Sequence, residues 1–135
     1  MTQKIALAIR PGTTVGKAMR ALRLMGVAQA CVSNSGRTIV DANIEALGIA
    51  EFITFSLSLN DVSQGKPDPE PFREAARRLG AKPEATVAVE DSDPGARSAR
   101  AAGLYVVGYA PEGNAFAGAD RSIAKLMEVV TLFGA

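Results

Sequence analysis

Strand-like and helix-like segments alternate along the whole of this 135-residue chain. That alternation predicts an α/β fold in three layers, a mostly parallel sheet with helices on both faces. Two observations support it. Short apolar runs such as VAQACV at 27–32 are interleaved with segments whose apolar residues recur at helical spacing. Glycines stand at 26, 48 and 80, where those helical patterns stop. At this length the chain forms one domain at most, and it shows no internal repeat, low-complexity segment or linker.

Each element follows from its residues. KIALAI at 4–9 is a short apolar strand. Thr13 or Thr14 can cap a helix whose apolar face is Val15, Ala18, Met19, Leu22 and Met25, ended by Gly26. Val27–Val32 is a buried strand running into the turn Ser33-Asn34-Ser35-Gly36. A second helix covers about Thr38 to Leu47 and closes at Gly48, and Phe52–Leu57 is strand-like. After the polar loop LNDVSQGKPDPEP, Asp68 caps and Pro69 opens a helix showing Phe72, Ala75, Ala76 and Leu79 on one face, stopped at Gly80. Thr86–Val89 is a strand, Asp93–Ala102 a helix and Leu104–Tyr109 a strand. A last helix buries Ile123, Leu126, Met127 and Val130. Gly95, Ala96, Ala99 and Ala102 give a small-residue helix face suited to close packing on the sheet.

Composition removes several classes of function. Net charge is +1, no basic block occurs and aromatics make up 5% of residues, which argues against a nucleic-acid surface. No apolar stretch has the length of a membrane span and the N-terminus lacks the layout of a signal peptide, so the expected location is cytoplasmic. The single cysteine, Cys31, excludes an internal disulfide and reads as strand packing. The absence of histidine excludes Ser-His-Asp and Cys-His catalysis and ordinary zinc sites.

Ligands of parallel sheets bind outside the carboxyl ends of the strands. Three polar clusters fall there or in the loops beyond: Ser33-Asn34, Gly65-Lys66 and Glu90-Asp91. Each also has a plain reading. Ser33-Asn34 suits a turn, and it also suits a hydroxyl and backbone amides presented to an anion. Lys66 suits a solvated surface charge, but between Gly65 and Pro67 it also suits a fixed point charge for phosphate. Glu90-Asp91 could favour a helix dipole, a role that Asp93, just before Pro94, fills better. Acids at strand ends more often hold a cation such as Mg²⁺. Hydroxyl, lysine and acid pair, in that order, form one coherent phosphate-plus-magnesium site.

These residues carry a resemblance. With VSNS at 32–35, GKPDPEPF at 65–72 and VEDSDPGARSARAAG at 89–103, the chain resembles the haloacid dehalogenase-like (HAD) hydrolases. Within them it is similar to the phosphoglycolate phosphatase and beta-phosphoglucomutase-like branch, from about Pro11 to the C-terminus. The resemblance implies a Rossmann-like core, Mg²⁺ as cofactor and a small phosphorylated metabolite as partner, with neither nucleic acid nor membrane. It implies that Ser33 binds the transferring phosphoryl group, with Asn34 in the phosphate-binding turn. Lys66 neutralises that group and the nucleophile, and Glu90 and Asp91 help hold the metal. The family's chemistry is phosphomonoester hydrolysis through an aspartyl-phosphate.

The chain departs from the family at its start. Members open with a strand ending in Asp-x-Asp, whose first aspartate is the nucleophile and whose second is the general acid-base. Here the first carboxylate of any kind is Asp41. The helical cap domain that follows this motif in the branch is absent too. Two readings compete. Residues 1–12 are the exit from a lost cap domain, in a chain that is part of a longer one. Or KIALAIRPGT stands in for the missing strand, with Ile9 and Pro11 where the aspartates would be. A missing central strand would leave two inner strands unpaired, so residues 4–9 are expected to pair between the strands at 27–32 and 86–89. The expectation is a phosphatase core that is inactive in this form and binds Mg²⁺ weakly or not at all. The alternatives are a non-catalytic anion-binding or regulatory module, and a truncation product with no function of its own. Glu90 and Asp91 would then face Lys66, and an exposed apolar patch on the uncapped face would point to self-association.

Overall fold

The computed structural model describes residues 4–8 (as backbone), 15–113 and 117–133. Six strands form one sheet: β1 (Lys4–Ala8), β2 (Ala28–Val32), β3 (Phe55–Leu57), β4 (Thr86–Glu90), β5 (Tyr105–Tyr109) and β6 (Arg121–Ile123). Their order is β3-β2-β1-β4-β5-β6 and every neighbouring pair is parallel. Four α-helices cross between them: α1 (Val15–Leu24), α2 (Arg37–Leu47), α3 (Glu70–Leu79) and α4 (Asp93–Ala101). The α/β fold expected from the alternation is the fold observed.

Successive residues of the inner strands feed opposite core layers, as strand pleating dictates. Val89 and Val107 pack in one layer with Met19, Leu22, Ile123 and Val129. Their neighbours Ala88 and Val106 pack in the other with Phe72, Ala75, Ala96 and Ala99. Ala96 and Ala99, both fully buried, let α4 lie close on the sheet, as the small-residue face implied. Positive φ at Gly48 (65°) and Gly80 (70°) closes α2 and α3; a side chain there would strain the turn.

β1 takes the centre of the sheet. Ala6 lies between Ala30 of β2 and Ala88 of β4, so the expected pairing holds for residues 4–8. Ala8 is in register with Glu90, and the chain therefore leaves β1 beside the acid pair. Ile9, Pro11 and the capping threonines 13 and 14 lie outside the described residues.

Four expectations change. Met25, placed on the apolar face of α1, is 40% exposed, because the helix ends at Leu24 and Gly26 turns the chain away. The strand expected over 52–57 is confined to 55–57. A 3-10 turn at Ala50–Phe52 precedes it and tucks Phe52 and Ile53 against the core. The helix α3 begins at Glu70, with the Asp68 carboxylate accepting from the Glu70 amide at 2.9 Å. The last helix is a strand followed by a 3-10 helix. Ile123 belongs to β6, and Leu126–Leu132 buries Leu126 and Val129 while Met127 stands 48% exposed. Three residues per turn bring i and i+3 to one face, which replaces the expected pair Met127 and Val130 with Val129. No described helix is long and apolar enough to cross a membrane.

Candidate functional site

The three polar clusters named from the sequence meet in one cavity of about 410 Å³ at the carboxyl end of the sheet. Ser33, Asn34, Lys66, Glu90 and Asp91 all line it. Parallel strands bring this about: the residues just past β2 and at the end of β4 leave the sheet on the same edge.

Lys66 is the centre of the site. Its ammonium donates to Glu90 Oε2 at 2.6 Å and to the Val32 carbonyl at 3.0 Å. The two side chains are 9% and 1% exposed, so this is a buried ion pair. The ammonium also lies 5.2 Å from the centroid of the buried Phe72 ring, within range of a cation–π attraction. The Lys66–Pro67 peptide is cis.

Asn34 holds the lysine's backbone. Its Oδ1 accepts from the Lys66 amide at 2.8 Å and its Nδ2 donates to the Lys66 carbonyl at 3.1 Å. Gly65 permits this approach, since a Cβ there would stand 2.8 Å from Asn34 Oδ1 and 2.7 Å from Leu59. Glu70 shapes the preceding turn by accepting from the amides of Ser63 and Gln64, each at 2.9 Å. The Ser33 hydroxyl accepts from the Ser35 amide at 3.0 Å, closing the turn after β2. The turn reading of Ser33-Asn34 holds: the segment is a hydrogen-bonded turn, and it lines the cavity.

Glu90 is the last residue of β4 and is enclosed by α4. Ser92 caps α4 by accepting from the Gly95 amide at 3.3 Å, and its hydroxyl donates to Glu90 Oε1 at 3.4 Å. A Cβ at position 95 would overlap the Glu90 carboxylate, so Gly95 makes room for the acid as well as for the sheet. Burial pushes the Glu90 carboxyl up to about 7, although Lys66 pulls it back. Cys31 reaches the cavity wall, where its apolar surroundings push the thiol up to about 11 against a smaller opposing pull from Lys66. It stays protonated near neutrality and offers no thiolate.

The donor set does not fit a magnesium ion held by the protein alone. Glu90 is committed to Lys66. Among the described residues no three of His, Cys, Asp or Glu gather closely enough to hold a metal. Asp91 is the remaining carboxylate at the cavity, and residues 1–40 contain neither Asp nor Glu. An octahedral ion normally takes one or two carboxylates together with waters and substrate phosphate.

Sequence reasoning did not find Val32, Phe72, Ser92 or Gly95 as parts of the site. Phe72 and Gly95 were visible only as core and packing residues. Ser92, three residues before Gly95, carried a helix-capping signal.

With the geometry in view, the sequence comparisons become specific. The chain matches the haloacid dehalogenase-like hydrolase profile over residues 3–103. It belongs to the haloacid dehalogenase-like hydrolases. A plasmid-encoded phosphoglycolate phosphatase of Cupriavidus necator is 36% identical over 121 residues, which cover 86% of this chain and 52% of that enzyme. A HAD phosphatase of Thermococcus onnurineus superposes with a TM-score of 0.79 at 26% identity, covering 87% of this chain and 55% of that one. A HAD family hydrolase of Deinococcus radiodurans, solved with phosphate and sodium bound, gives 0.75 at 29% identity over 86% of this chain and 56% of that one. The sequence similarity runs to phosphoglycolate phosphatases, and a structure named as a beta-phosphoglucomutase of Thermotoga maritima, 23% identical, shares the fold with a TM-score of 0.79. The chain spans about half the length of the curated relatives it matches.

Proposed function

We propose that this chain is the phosphate-handling core of a phosphomonoester hydrolase, and that in this form it binds a phosphate group without turning it over. The observation that carries the reading is the convergence of Ser33, Asn34, Lys66, Glu90 and Asp91 on one cavity, with Lys66 held at its floor. In this reading the Ser33 hydroxyl and the backbone amides of its turn receive phosphoryl oxygens. Lys66 supplies the compensating charge from a fixed position, and Asn34 keeps its backbone in place. The HAD family hydrolase of Deinococcus radiodurans was solved with phosphate bound, which supports an anion of this kind as the ligand.

Binding without turnover follows from what stands in the central slot. β1 fills the place between β2 and β4, and no Asp or Glu precedes Asp41. No carboxylate nucleophile therefore reaches the cavity from that strand. Removing the nucleophile from groups that act as a unit removes nearly all of their catalysis.

The test combines phosphate-dependent thermal stabilisation with hydrolysis of 4-nitrophenyl phosphate in the presence of Mg²⁺, for the parent chain and Lys66→Ala. The expected result is a phosphate-dependent rise in Tm that Lys66→Ala removes, and no hydrolysis above background. A missing Tm response would overturn the site. Hydrolysis that Lys66→Ala abolishes would overturn the claim of binding alone.

A further inference from the structure

The cavity is much larger than a phosphate group. A water's share of liquid volume is about 30 Å³, so 410 Å³ holds on the order of a dozen waters. It also falls within the usual range of organic-ligand pockets, about 300–1,000 Å³. Its walls are of two kinds. The pole around Ser33, Lys66 and Asp91 is polar. Away from it the cavity runs between α1 and α2 along Met19, Val40, Ile44 and Leu47, with Asn43 as the polar side chain of that wall. Among the described residues that line it, Lys66 is the sole cation.

We propose that the cavity selects phosphate esters with a compact, uncharged and largely apolar body, of the aryl or branched-alkyl kind, over polyhydroxylated or carboxylated ones. The inference rests on the anion-binding reading above and specifies its ligand. A carboxylate on the body of the ligand, lying against the apolar wall, would lose water without gaining a partner there. Hydroxyl groups lying against Met19, Val40 and Ile44 would lose water without gaining partners. Apolar carbons placed there gain about fourfold in affinity for each buried methylene-sized group. The C. necator relative is named for phosphoglycolate, an ester whose body is a carboxylate, and the apolar wall separates this chain's preference from that one.

Non-hydrolysable phosphonates test this without interference from turnover. Inorganic phosphate, methylphosphonate, phenylphosphonate and phosphonoacetate would be titrated into the full chain by calorimetry. Phenylphosphonate is expected to bind at least tenfold more tightly than methylphosphonate, with phosphonoacetate no tighter than methylphosphonate. In Ile44→Gln the phenyl-to-methyl ratio should fall towards one. Should that variant fail to fold, a methyl, propyl, butyl and phenyl series on the parent chain gives the same readout as a rising affinity. If phosphate binds but phenyl gives no gain, or if phosphonoacetate binds best, the inference is overturned and the anion site stands. If none of the four binds, the anion site itself falls and the inference with it.

Discussion

Replacing Glu90 by Gln should flatten the pH dependence of stability between about 4.5 and 7. Glu90 is 1% exposed, and burial raises its carboxyl from 4.5 to about 7. A group whose folded value is raised holds more protons folded than unfolded within that window, so stability falls as pH rises through it. The contribution is fully present below 4.5 and lost above 7. At about 1.4 kcal/mol per pH unit, the loss is about 3 kcal/mol. Asp61 and Glu74, both held down to about 2, act below the window and in the opposite direction. The assay is urea unfolding at a series of pH values from 4.5 to 8. Gln mimics the protonated carboxyl, so the offset between variant and parent is smallest below 4.5 and changes by about 3 kcal/mol as Glu90 ionises in the parent, while the variant itself keeps Lys66 without an ionic partner at every pH. The slope is therefore the readout. Adding Lys66→Met to Glu90→Gln removes the unpaired ammonium and should recover stability while keeping the flat slope. An unchanged slope in Glu90→Gln would refute the assignment of this titration to Glu90.

Four other predictions follow from the same contacts. Gly95→Ala should destabilise by about 1–3 kcal/mol through overpacking against the Glu90 carboxylate, although helix propensity alone favours alanine by about 1 kcal/mol; chemical denaturation gives the sign. Phe72→Ala, at a fully buried site beneath Lys66, should lose about 3–5 kcal/mol and weaken phosphate protection in a thermal shift. Asp61→Asn removes a carboxylate that accepts from the Ser58 amide and hydroxyl and from Arg37. The stabilisation from Asp61 is present above the ordinary value of 3.8 and lost as pH falls towards 2, so the variant should be less stable at neutral pH and converge with the parent in strong acid. Sulfate, whose charge is constant from pH 5 to 8, should bind the parent more tightly as pH falls through about 7 and bind Glu90→Gln with little pH dependence, both measurable by calorimetry.

The fold was legible because inner strands and amphipathic helices leave strong periodic signals. Residues 4–8 pair as expected, because an apolar run suits a strand between two inner neighbours. β6 was missed because RSI is a three-residue edge strand whose first two residues are exposed, which leaves no pattern to read. Met127 was misplaced because a 3-10 helix and an α-helix share the i, i+3 spacing over so short a run. Within the site, the residue types and their order along the strand ends named Ser33, Lys66 and Glu90. The environment of each was not legible. That Asn34 spends its side chain on the Lys66 backbone, and that Phe72 lies under the ammonium, depends on loop conformations that no local sequence pattern encodes.

The two adjacent acids answer to different demands. Glu90 ends β4 pointing inward and is neutralised by Lys66; Asp91 is half-buried and lines the cavity. When both are ionised, Lys66 and Glu90 neutralise one another. A phosphate dianion entering the cavity cannot treat Lys66 as a free cation. Unit charges about 4 Å apart interact by about 4 kcal/mol even at an effective dielectric near 20, so an ionised Glu90 offsets much of the attraction that Lys66 exerts on an anion. Either the anion replaces Glu90 as the partner of Lys66, or Glu90 takes up a proton and releases the lysine. Both routes make Glu90 the group through which anion affinity and folding stability are linked. In the proposed reading, a buried acid beside Lys66 would couple anion binding to proton uptake near neutral pH.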